Sequence, residues 1–341
     1  MLAKEKHIEL KPGYHMEPAV VEDAERISAM INAFSQATMG INEMPQAELE
    51  SFWQTPRLNM DEDLRKVIGP DGEVAGYVEC LTFTQPPVHP YIWLSVHPDH
   101  LHDNVTETLL DWAIERAKYV LDILPADLRV SIHMHNIGSF KPWQKSIENA
   151  GFLLTRHSFI MHREMKEAPP APQWPAGITL RPFDPERDAA AVYRANDEAF
   201  SDHFGHIKQS FEQGFALFKH WLEEPRFDPS LWLIAVDGDE IAGVSLNRVN
   251  EQEEPPIGWV GDLSVRRPWR KRGLGMALLQ HSFSEFYHRG HKKVGLGVDA
   301  SNLTGALRLY ERAGMHVARQ YDRYEKELRP GKELMTIEVN E

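Results

Sequence analysis

The pattern of apolar and polar positions follows the same order twice along the chain. Apolar residues recur every three to four positions in 27–34 and again in 191–200, which predicts an amphipathic helix near the start of each half. An acidic residue and a glycine then separate two apolar runs, at Asp71-Gly72 and at Asp237-Gly238, which predicts a hairpin in each half. A further strand, a loop, a longer helix, a last strand and a short helix ending at glycine complete each half.

Matching segments keep nearly the same offset through both halves, which indicates an internal repeat. The matched pairs are Pro18 and Pro182 (164 apart), Gly76 and Gly243 (167 apart), Val96 and Val265 (169 apart), and Gly151 and Gly314 (163 apart). Four prolines in 166–177 are incompatible with a helix or central strand, so this segment is interpreted as a linker. We expect two tandem α+β domains, 1–165 and 178–341, each a mixed, mostly antiparallel sheet with helices on both faces.

The composition is typical of a globular chain and argues against membrane-spanning segments and a nucleic-acid partner. With 341 residues, 42% hydrophobic and 26% charged, the chain is long enough for two domains. Its apolar runs are too short to span a bilayer, and its start lacks the apolar segment of a secretory signal. A single cysteine, Cys80, excludes an internal disulfide, so we expect a cytoplasmic protein. A homodimer is compatible with the sequence. The net charge of −14 argues against a nucleic-acid partner.

Against this acidic background, the segment 265–277 carries a basic cluster. It contains Arg266, Arg267, Arg270, Lys271 and Arg272, and no acidic residue, before Gly273-Leu274-Gly275. An apolar run before the cluster predicts a strand, and apolar periodicity after it predicts a helix. A glycine loop that opens a helix directs backbone N–H groups and the helix dipole toward an anion, which is typical of a pyrophosphate site. The alternative interpretation is a solvated loop at a helix entry.

Two motifs in the second half resemble those of one enzyme superfamily. Arg270-x-x-Gly273-x-Gly275, placed between a strand and a helix, resembles the motif A loop of the GNAT N-acetyltransferases. Asn302, Ala306, Tyr310 and Gly314 follow at a spacing that resembles motif B of that superfamily. The resemblance covers 178–328, and the tandem layout resembles the mycothiol-synthase type. It implies acetyl-CoA as acyl donor and no metal.

The resemblance also implies where acetyl-CoA binds. The implied residues are Leu263, Ser264, Val265, Arg270, Lys271, Arg272, Gly273, Leu274, Gly275, Met276, Ala277 and Asn302. Backbone amides at Gly273 and Gly275 would contact the pyrophosphate, with the three neighbouring basic side chains neutralising its charge. Backbone groups of Leu263 and Val265 would pair with the pantetheine arm where two strands splay apart. Asn302 would hydrogen-bond that arm, or would serve only as a helix cap.

Catalytic roles follow from the same resemblance and from acid–base chemistry. Tyr310 would protonate the departing thiolate, and the Val265 N–H would stabilise the oxyanion. An ammonium with a pKa near 10 must lose a proton before attack, and Asp262 is the candidate acceptor of that proton. The alternatives are a tyrosine packed in the core and a charge at a strand edge.

The acceptor pocket is expected next to the first helices of the second half. Ser201-Asp-His-Phe-Gly-His206 offers polar groups, with Asp202, His203 and His206 as candidates for reading an acceptor. The aromatic stripe that follows is either core or pocket wall: Phe211, Phe215, Phe218 and Trp221. We expect an acetyl-CoA-dependent N-acetyltransferase that acts directly on a primary amine, here of a small molecule. A protein or peptide N-acetyltransferase and a non-catalytic acyl-CoA-binding sensor remain the alternatives.

The first half keeps the pattern and loses the chemistry. Leu101, Asn104 and Thr106 stand where the second half has Arg270, Gly273 and Gly275, and Ile147 stands for Tyr310. Asp99 and Asp103 in this loop would repel a pyrophosphate. We therefore predict a degenerate GNAT-like domain without an acyl-CoA motif. Two alternatives are a metal site at His97, His100 and His102 and an acyl carrier at Cys80.

Overall fold

The computed structural model describes residues 9–56, 58–82, 84–223, 227–301 and 305–337. The chain forms two compact units that are not contiguous in sequence. Unit 1 comprises Met1–Arg156 and Tyr321–Leu334, and unit 2 comprises His157–Gln320 and Met335–Glu341. None of the described helices is long and apolar enough to cross a bilayer.

Unit 1 contains a six-stranded sheet with helices on both faces. Its strands are β1 (His15–Pro18), β2 (Leu64–Ile68), β3 (Val74–Leu81), β4 (Tyr91–Val96), β5 (Val130–Ile137) and the part 321–329 of β12 (His316–Arg329). Its helices are α1 (Ala24–Met39), α2 (Gln46–Phe52), α3 (Met60–Asp63), α4 (Val105–Ala117), α5 (Val120–Ile123) and α6 (Lys141–Asn149). The strand order is β1-β2-β3-β4-β5-β12, antiparallel except between β4 and β5.

The helices of unit 1 form where the apolar period predicts them. Ile27, Met30, Ile31 and Phe34 on α1 are all buried, and the helix ends at Gly40, whose φ of 70° places it in the left-handed region. Residues of α1 and α2 form a core cluster with β2 and β3, whereas α4 and α6 contribute to a second cluster with β3, β4 and β5. The predicted helix layers on the two faces are therefore present.

Unit 2 has the same plan. Its strands are the part 157–164 of β6 (Leu153–Glu164), β7 (Ile178–Pro182), β8 (Trp232–Asp237), β9 (Glu240–Asn250), β10 (Ile257–Val265) and β11 (Lys293–Asp299). Its helices are α7 (Pro185–Phe200), α8 (Phe211–Leu222), α9 (Leu274–His288) and α10 (Ala306–Arg312). The strand order is β7-β8-β9-β10-β11-β6, parallel only between β10 and β11. The expected α+β class and mostly antiparallel sheets are confirmed.

The strand that completes each sheet comes from the other half of the chain. In unit 2, β6 pairs with β11 from Ser158↔Asp299 to Glu164↔Lys293. In unit 1, residues 321–329 of β12 pair with β5. The contact units thus differ from the contiguous domains 1–165 and 178–341 expected from the sequence. The repeat identifies equivalent strands but carries no information on which copy of a strand completes which sheet.

Candidate active site

Two adjacent parallel strands of unit 2 separate partway along their length. β10 and β11 pair only at Gly258↔Val294, Trp259↔Gly295 and Val260↔Leu296, although both strands continue beyond these positions. Arg266 N–H donates to the Ala242 carbonyl on the β9 side, so alternation directs the backbone groups of Leu263 and Val265 toward the gap. The structure therefore contains the strand splay expected from the family resemblance.

Asp262 lies at the start of this gap, next to an irregularity in β10. The register between β10 and β9 shifts between Val260 and Asp262, so the strand carries one extra residue there. The Asp262 side chain faces α7, where Asn196 Nδ2 donates to its Oδ2 at 2.7 Å. Burial raises the pKa of Asp262, and the hydrogen bond from Asn196 opposes that rise. The carboxyl group is therefore easier to protonate than a solvated one.

Tyr310 is buried in α10 and close enough to Asp262 to feel its charge. Its exposed fraction is 8%, and it packs in a cluster with Val260, Leu279 and Leu296. Burial, and then the negative charge of Asp262, raise the pKa of Tyr310 to about 12. The phenol thus stays protonated at neutral pH and can act as a proton donor. Tyr310 is therefore a core residue whose pKa also depends on the charge of Asp262, the candidate base.

The start of α9 exposes its first backbone N–H groups. Gly273 is the N-cap residue with a φ of 89°, and no side chain caps this end. Lys271 also has a positive φ, 60°, so two residues of the loop adopt the left-handed backbone conformation. The first turn of α9 contains no acidic residue. This end of the helix combines the partial positive charge of its dipole with available N–H donors, as an anion site requires.

Gly275 differs from Gly273 in what it contributes. A Cβ at Gly275 would meet only Val265 Cγ2 at 3.8 Å and Leu309 Cδ2 at 3.9 Å, which are ordinary contacts. The fold itself therefore does not demand a glycine at this position. Leu274 and Ala277 are buried in the core, so only their backbone could contact a ligand, whereas Met276 is half-buried.

The basic cluster is not a set of free charges, which corrects one expectation. Arg270 Nη1 donates to Asp202 at 2.9 Å, and Arg267 Nε donates to the same carboxylate at 2.9 Å. Arg270 also donates to the carbonyls of Val265 and Ala199, at 3.1 and 2.8 Å. Arg270 is thus tied to the protein rather than available to neutralise a pyrophosphate. The sequence interpretation missed this because Asp202 lies 68 residues away.

Asp202 is consequently held by two arginines of the loop. Arg267, with Arg270 in addition, holds the pKa of Asp202 at about 2. Arg266 similarly donates to Glu198 at 2.8 Å. Lys271 and Arg272 are exposed, and no carboxylate pairs with either within the described part of the loop. These two side chains remain the candidate cations for a ligand.

Other predicted groups have mixed outcomes. Asn302 lies outside the described residues. Ser264 is buried, with 5% exposed. His206 pairs with Asp197 at 3.0 Å, whereas His203 is half-buried, and burial and then Arg270 lower its pKa. The sequence interpretation missed Asn196, since nothing in the pattern of α7 marks one polar residue among several.

The aromatic stripe of α8 is only partly core. Phe218 is 4% exposed and belongs to a buried cluster that Phe215 also contacts, whereas Trp221 is 46% exposed. Tyr193 of α7 packs against this stripe, and a Cβ at Gly214 would lie 1.8 Å from its hydroxyl. Gly214 therefore permits close packing of the two helices. The interpretation as core thus fits Phe218 and, in part, Phe215.

The equivalent loop of unit 1 has the same backbone conformation at its helix start, but an acidic residue and no basic cluster. Asn104 is the N-cap of α4 with a φ of 61°, as Gly273 is for α9. Asp103 accepts hydrogen bonds from Lys11 Nζ and the Tyr14 hydroxyl, both at 2.7 Å, which lower its pKa to about 2. Thr106, at the position of Gly275, is buried with 3% exposed. A fixed negative charge and a filled helix start oppose pyrophosphate binding.

The two alternatives considered for unit 1 find no structural support. His100 hydrogen-bonds the Tyr14 hydroxyl at 2.8 Å, and the described residues contain no group of three or more side chains placed to hold a metal ion. Cys80 is 1% exposed, and burial raises the pKa of its thiol to about 12. A buried thiol with this pKa is a poor nucleophile.

Relatives of known sequence agree with the motifs. The Acetyltransferase (GNAT) family matches residues 190–315. A mycothiol acetyltransferase of Thermobispora bispora is 36% identical over 170 residues, which cover 48% of this chain and 56% of that protein. A mycothiol acetyltransferase of Salinispora arenicola is 32% identical over 250 residues, which cover 72% of this chain and 75% of that protein.

Solved structures agree with the fold. A GCN5-related N-acetyltransferase from Sphaerobacter thermophilus has a TM-score of 0.78 and 33% identity, covering 96% of this chain and 99% of that chain. A tandem GNAT protein from the clavulanic acid biosynthesis pathway has a TM-score of 0.68 at 13% identity, covering 94% and 100%, and supports the fold alone. The chain therefore belongs to the GNAT family of acetyl-CoA-dependent N-acetyltransferases.

Proposed function

We propose that unit 2 transfers an acetyl group from acetyl-CoA directly to the primary amine of a small molecule. The observation that carries the proposal is the gap between β10 and β11, with Asp262 at its start, held by Asn196, and the buried Tyr310 near enough for the Asp262 charge to raise its pKa. A general acid and a proton acceptor lie next to a strand edge that can bind an extended amide chain.

The donor site follows from the backbone around the gap. The pantetheine arm would pair with Leu263 and Val265 as an added strand, since their backbone groups face the gap. The pyrophosphate would lie at the start of α9, where Gly275 leaves room for close approach. Lys271 and Arg272 would supply the counter-charge. Arg270 would act indirectly, by fixing the loop against Asp202 and the Val265 carbonyl.

The chemical step requires the amine nitrogen to lose two protons and the sulfur to gain one. Asp262 takes a proton from the ammonium of the acceptor, so that the neutral amine attacks the thioester carbonyl carbon. The Val265 N–H donates to the carbonyl oxygen as it gains negative charge. The C–S bond then breaks, and Tyr310 donates its proton to the departing sulfur. The nitrogen gives up its second proton to the Tyr310 phenolate, and Asp262 releases the first proton to solvent, which leaves the neutral amide and the CoA thiol. Burial supports this role, because a phenol with a pKa of about 12 is fully protonated at neutral pH.

The acceptor class rests on the relatives and on the site. Related sequences named mycothiol acetyltransferase favour a small-molecule amine, with the acceptor implied by that name as the first to test. His203 is half-buried after α7, where it could contact the acceptor. We further propose a cytoplasmic enzyme, since the one cysteine is a buried free thiol. A homodimer is compatible with this proposal.

Tyr310→Phe tests the catalytic assignment. We expect kcat to fall about 100-fold or more, because a general acid contributes at least this factor, while the Kd for acetyl-CoA stays near the wild-type value. Steady-state release of CoA thiol and calorimetric titration with acetyl-CoA measure the two quantities. Tyr287→Phe on α9 is the matched control and should leave both unchanged. Wild-type turnover by Tyr310→Phe would remove Tyr310 from the mechanism.

The same assays separate the alternative functions. Acetyl-CoA binding without turnover on any small-molecule amine or peptide would indicate a sensor. Turnover on peptides alone would indicate a protein or peptide acetyltransferase. Turnover on small-molecule amines, lost in Tyr310→Phe, supports the proposal.

A further inference from the structure

Unit 1 contains a buried carboxyl group that no part of the acetyl-transfer mechanism uses. Glu79 on β3 is 3% exposed, and its Oε1 accepts a hydrogen bond from the Tyr77 hydroxyl at 2.8 Å. The same hydroxyl accepts a hydrogen bond from Trp53 Nε1 at 2.9 Å. The second oxygen of Glu79, Oε2, accepts no side-chain hydrogen bond from a described residue and is not fully buried. A ligand that reaches this oxygen can therefore supply its hydrogen-bond donor.

The position of Glu79 corresponds to the acceptor side of unit 2. In unit 2, Asp262 of β10 stands opposite Leu246 of β9 in the ladder. In unit 1, the equivalent ladder position pairs Trp93 of β4 with Glu79 of β3. The carboxyl group is therefore at the same ladder position in both units, but on the neighbouring strand in unit 1.

Both carboxyl groups also lie on the same face of their sheets. Asp262 contacts α7, the first helix of its repeat, through Asn196. Glu79 lies beside Tyr77, which packs in a cluster with residues of α1 and α2, the first helices of the other repeat. The gap between parallel strands is present too, because β4 and β5 pair only at Tyr91↔His133 and Ile92↔Met134. Unit 1 thus retains the acceptor-side geometry while its anion loop is blocked by Asp103.

The surroundings of Glu79 are aromatic and include a second acid. The rings of Tyr77 and Trp93 lie 6.3 Å apart at 61°, and Trp93 is half-buried. Tyr91 is also half-buried; burial, then Glu43 and Glu79, raise its pKa. Further polar groups of this region come from β5 and β12, namely His135, Tyr321 and Arg323. His135 is neutral because burial, and then Arg323, lower its pKa to about 4.

We propose that unit 1 binds a small organic amine as its ammonium ion, held by Glu79 among aromatic rings, and does not acylate it. An ammonium group supplies the donor that Glu79 Oε2 lacks, and aromatic faces favour a cation beside them. The inference stands independently of the function proposed for unit 2.

Binding has a proton signature that distinguishes this site. Burial raises the pKa of Glu79 to about 8, so the empty site is protonated at neutral pH. An arriving ammonium ion stabilises the carboxylate, and the proton of Glu79 leaves to the buffer. Binding therefore releases a proton at pH 7 and ceases to do so at about pH 9, where the carboxyl group is already ionised.

Calorimetry with 2-phenylethylamine in buffers of different ionisation heat tests the proposal on the full chain. We expect release approaching one proton per amine at pH 7, and no binding of the neutral analogue 2-phenylethanol. Glu79→Gln should weaken amine binding about tenfold or more and abolish the release, because the amide still accepts from Tyr77 but carries no charge. Glu73→Gln, an exposed glutamate of the same unit, is the matched control.

Two more variants make the result decisive. Asp262→Asn should retain the proton release, because the site is in unit 1. Tyr77→Phe removes a hydrogen bond that lowers the pKa of Glu79, so the release should persist to higher pH. Circular dichroism shows whether Glu79→Gln folds. If it does not, the pH range of proton release in Tyr77→Phe is the test. Absence of binding to the wild type, unchanged release in a folded Glu79→Gln, or loss of release in Asp262→Asn would each overturn the proposal.

Discussion

One amide side chain, Asn196, controls how readily Asp262 loses its proton. Asn196 Nδ2 donates to Asp262 at 2.7 Å, and Asn196 Oδ1 is buried without a hydrogen-bond partner among the described residues. Burial raises the pKa of Asp262, whereas this hydrogen bond stabilises the ionised form.

Asn196→Ala should therefore shift the pH dependence of the enzyme. Without the donor, the pKa of Asp262 rises further, so the acid limb of kcat/KM moves to higher pH while the rate at high pH changes less. Rate profiles with one amine at saturating acetyl-CoA measure the shift, and the pKa of the amine itself cancels in the comparison with wild type. Asn42→Ala, at an exposed amide of unit 1, is the control. An unshifted acid limb would contradict the role of Asn196.

The two loop glycines should respond differently to alanine. Gly275→Ala meets only ordinary contacts and removes a glycine from a helix, so stability should rise by about 0.5 kcal/mol while the Kd for acetyl-CoA increases. Gly273→Ala forces alanine to a φ of 89° and should cost about 1–2 kcal/mol of stability. Thermal unfolding and calorimetric titration measure both effects. Unaltered acetyl-CoA binding in Gly275→Ala would place the pyrophosphate elsewhere.

At the residue scale, the sequence predicts what a local motif encodes and misses what distant residues add. The positions of Gly273 at the start of α9 and of Tyr310 in α10 could be predicted, because fixed spacing around a strand and a helix marks them. Asn196 and Asp202 could not, because their partners Asp262 and Arg270 lie 66 and 68 residues away. The roles of Arg270 and Asp202 changed for that reason: the apparent free cation is held by an acid from another part of the chain.

At the element scale, apolar periodicity was enough to predict the helices and hairpins, but not how far adjacent strands pair. The splay of β10 and β11 follows from three paired positions and an extra residue near Asp262. Nothing in the composition of β10 marks either feature, since a bulge depends on the register of the neighbouring strand. The family resemblance, rather than the pattern, anticipated the gap.

The link between the anion loop and the end of α7 should be visible in acid. Asp202 has its pKa lowered to about 2, so its stabilising contribution is present above the unfolded pKa of about 3.9 and is lost as pH falls toward 2. Asp202→Asn should cost about 2 kcal/mol at pH 7 and show a shallower loss of stability between these values. Urea unfolding across pH measures both, with Asp239→Asn, in an exposed turn, as control. Equal acid sensitivity of Asp202→Asn and wild type would refute the link.

At the scale of the whole molecule, the exchanged strands make each unit depend on sequence from both halves. The seven paired positions between β6 and β11 leave unit 2 incomplete when the chain is cut in the proline-rich segment. A tandem repeat suggests that each copy folds as a contiguous segment, and here that inference fails at the last strand. The offset between copies is the same whichever sheet that strand joins, so sequence periodicity cannot distinguish the two arrangements.

Fragments of the chain test this arrangement. The fragment 157–320 includes the part of β6 that pairs with β11 and should unfold cooperatively, whereas 178–320 leaves the buried β11 without a partner on one edge and should aggregate or remain unfolded. Circular dichroism melts and sedimentation compare the two fragments. A third fragment, 166–320, keeps the proline-rich segment without β6 and controls for length. Cooperative unfolding of 178–320 with the same midpoint as 157–320 would show that β6 is dispensable to unit 2, and that the boundary expected from the proline-rich segment is the true one.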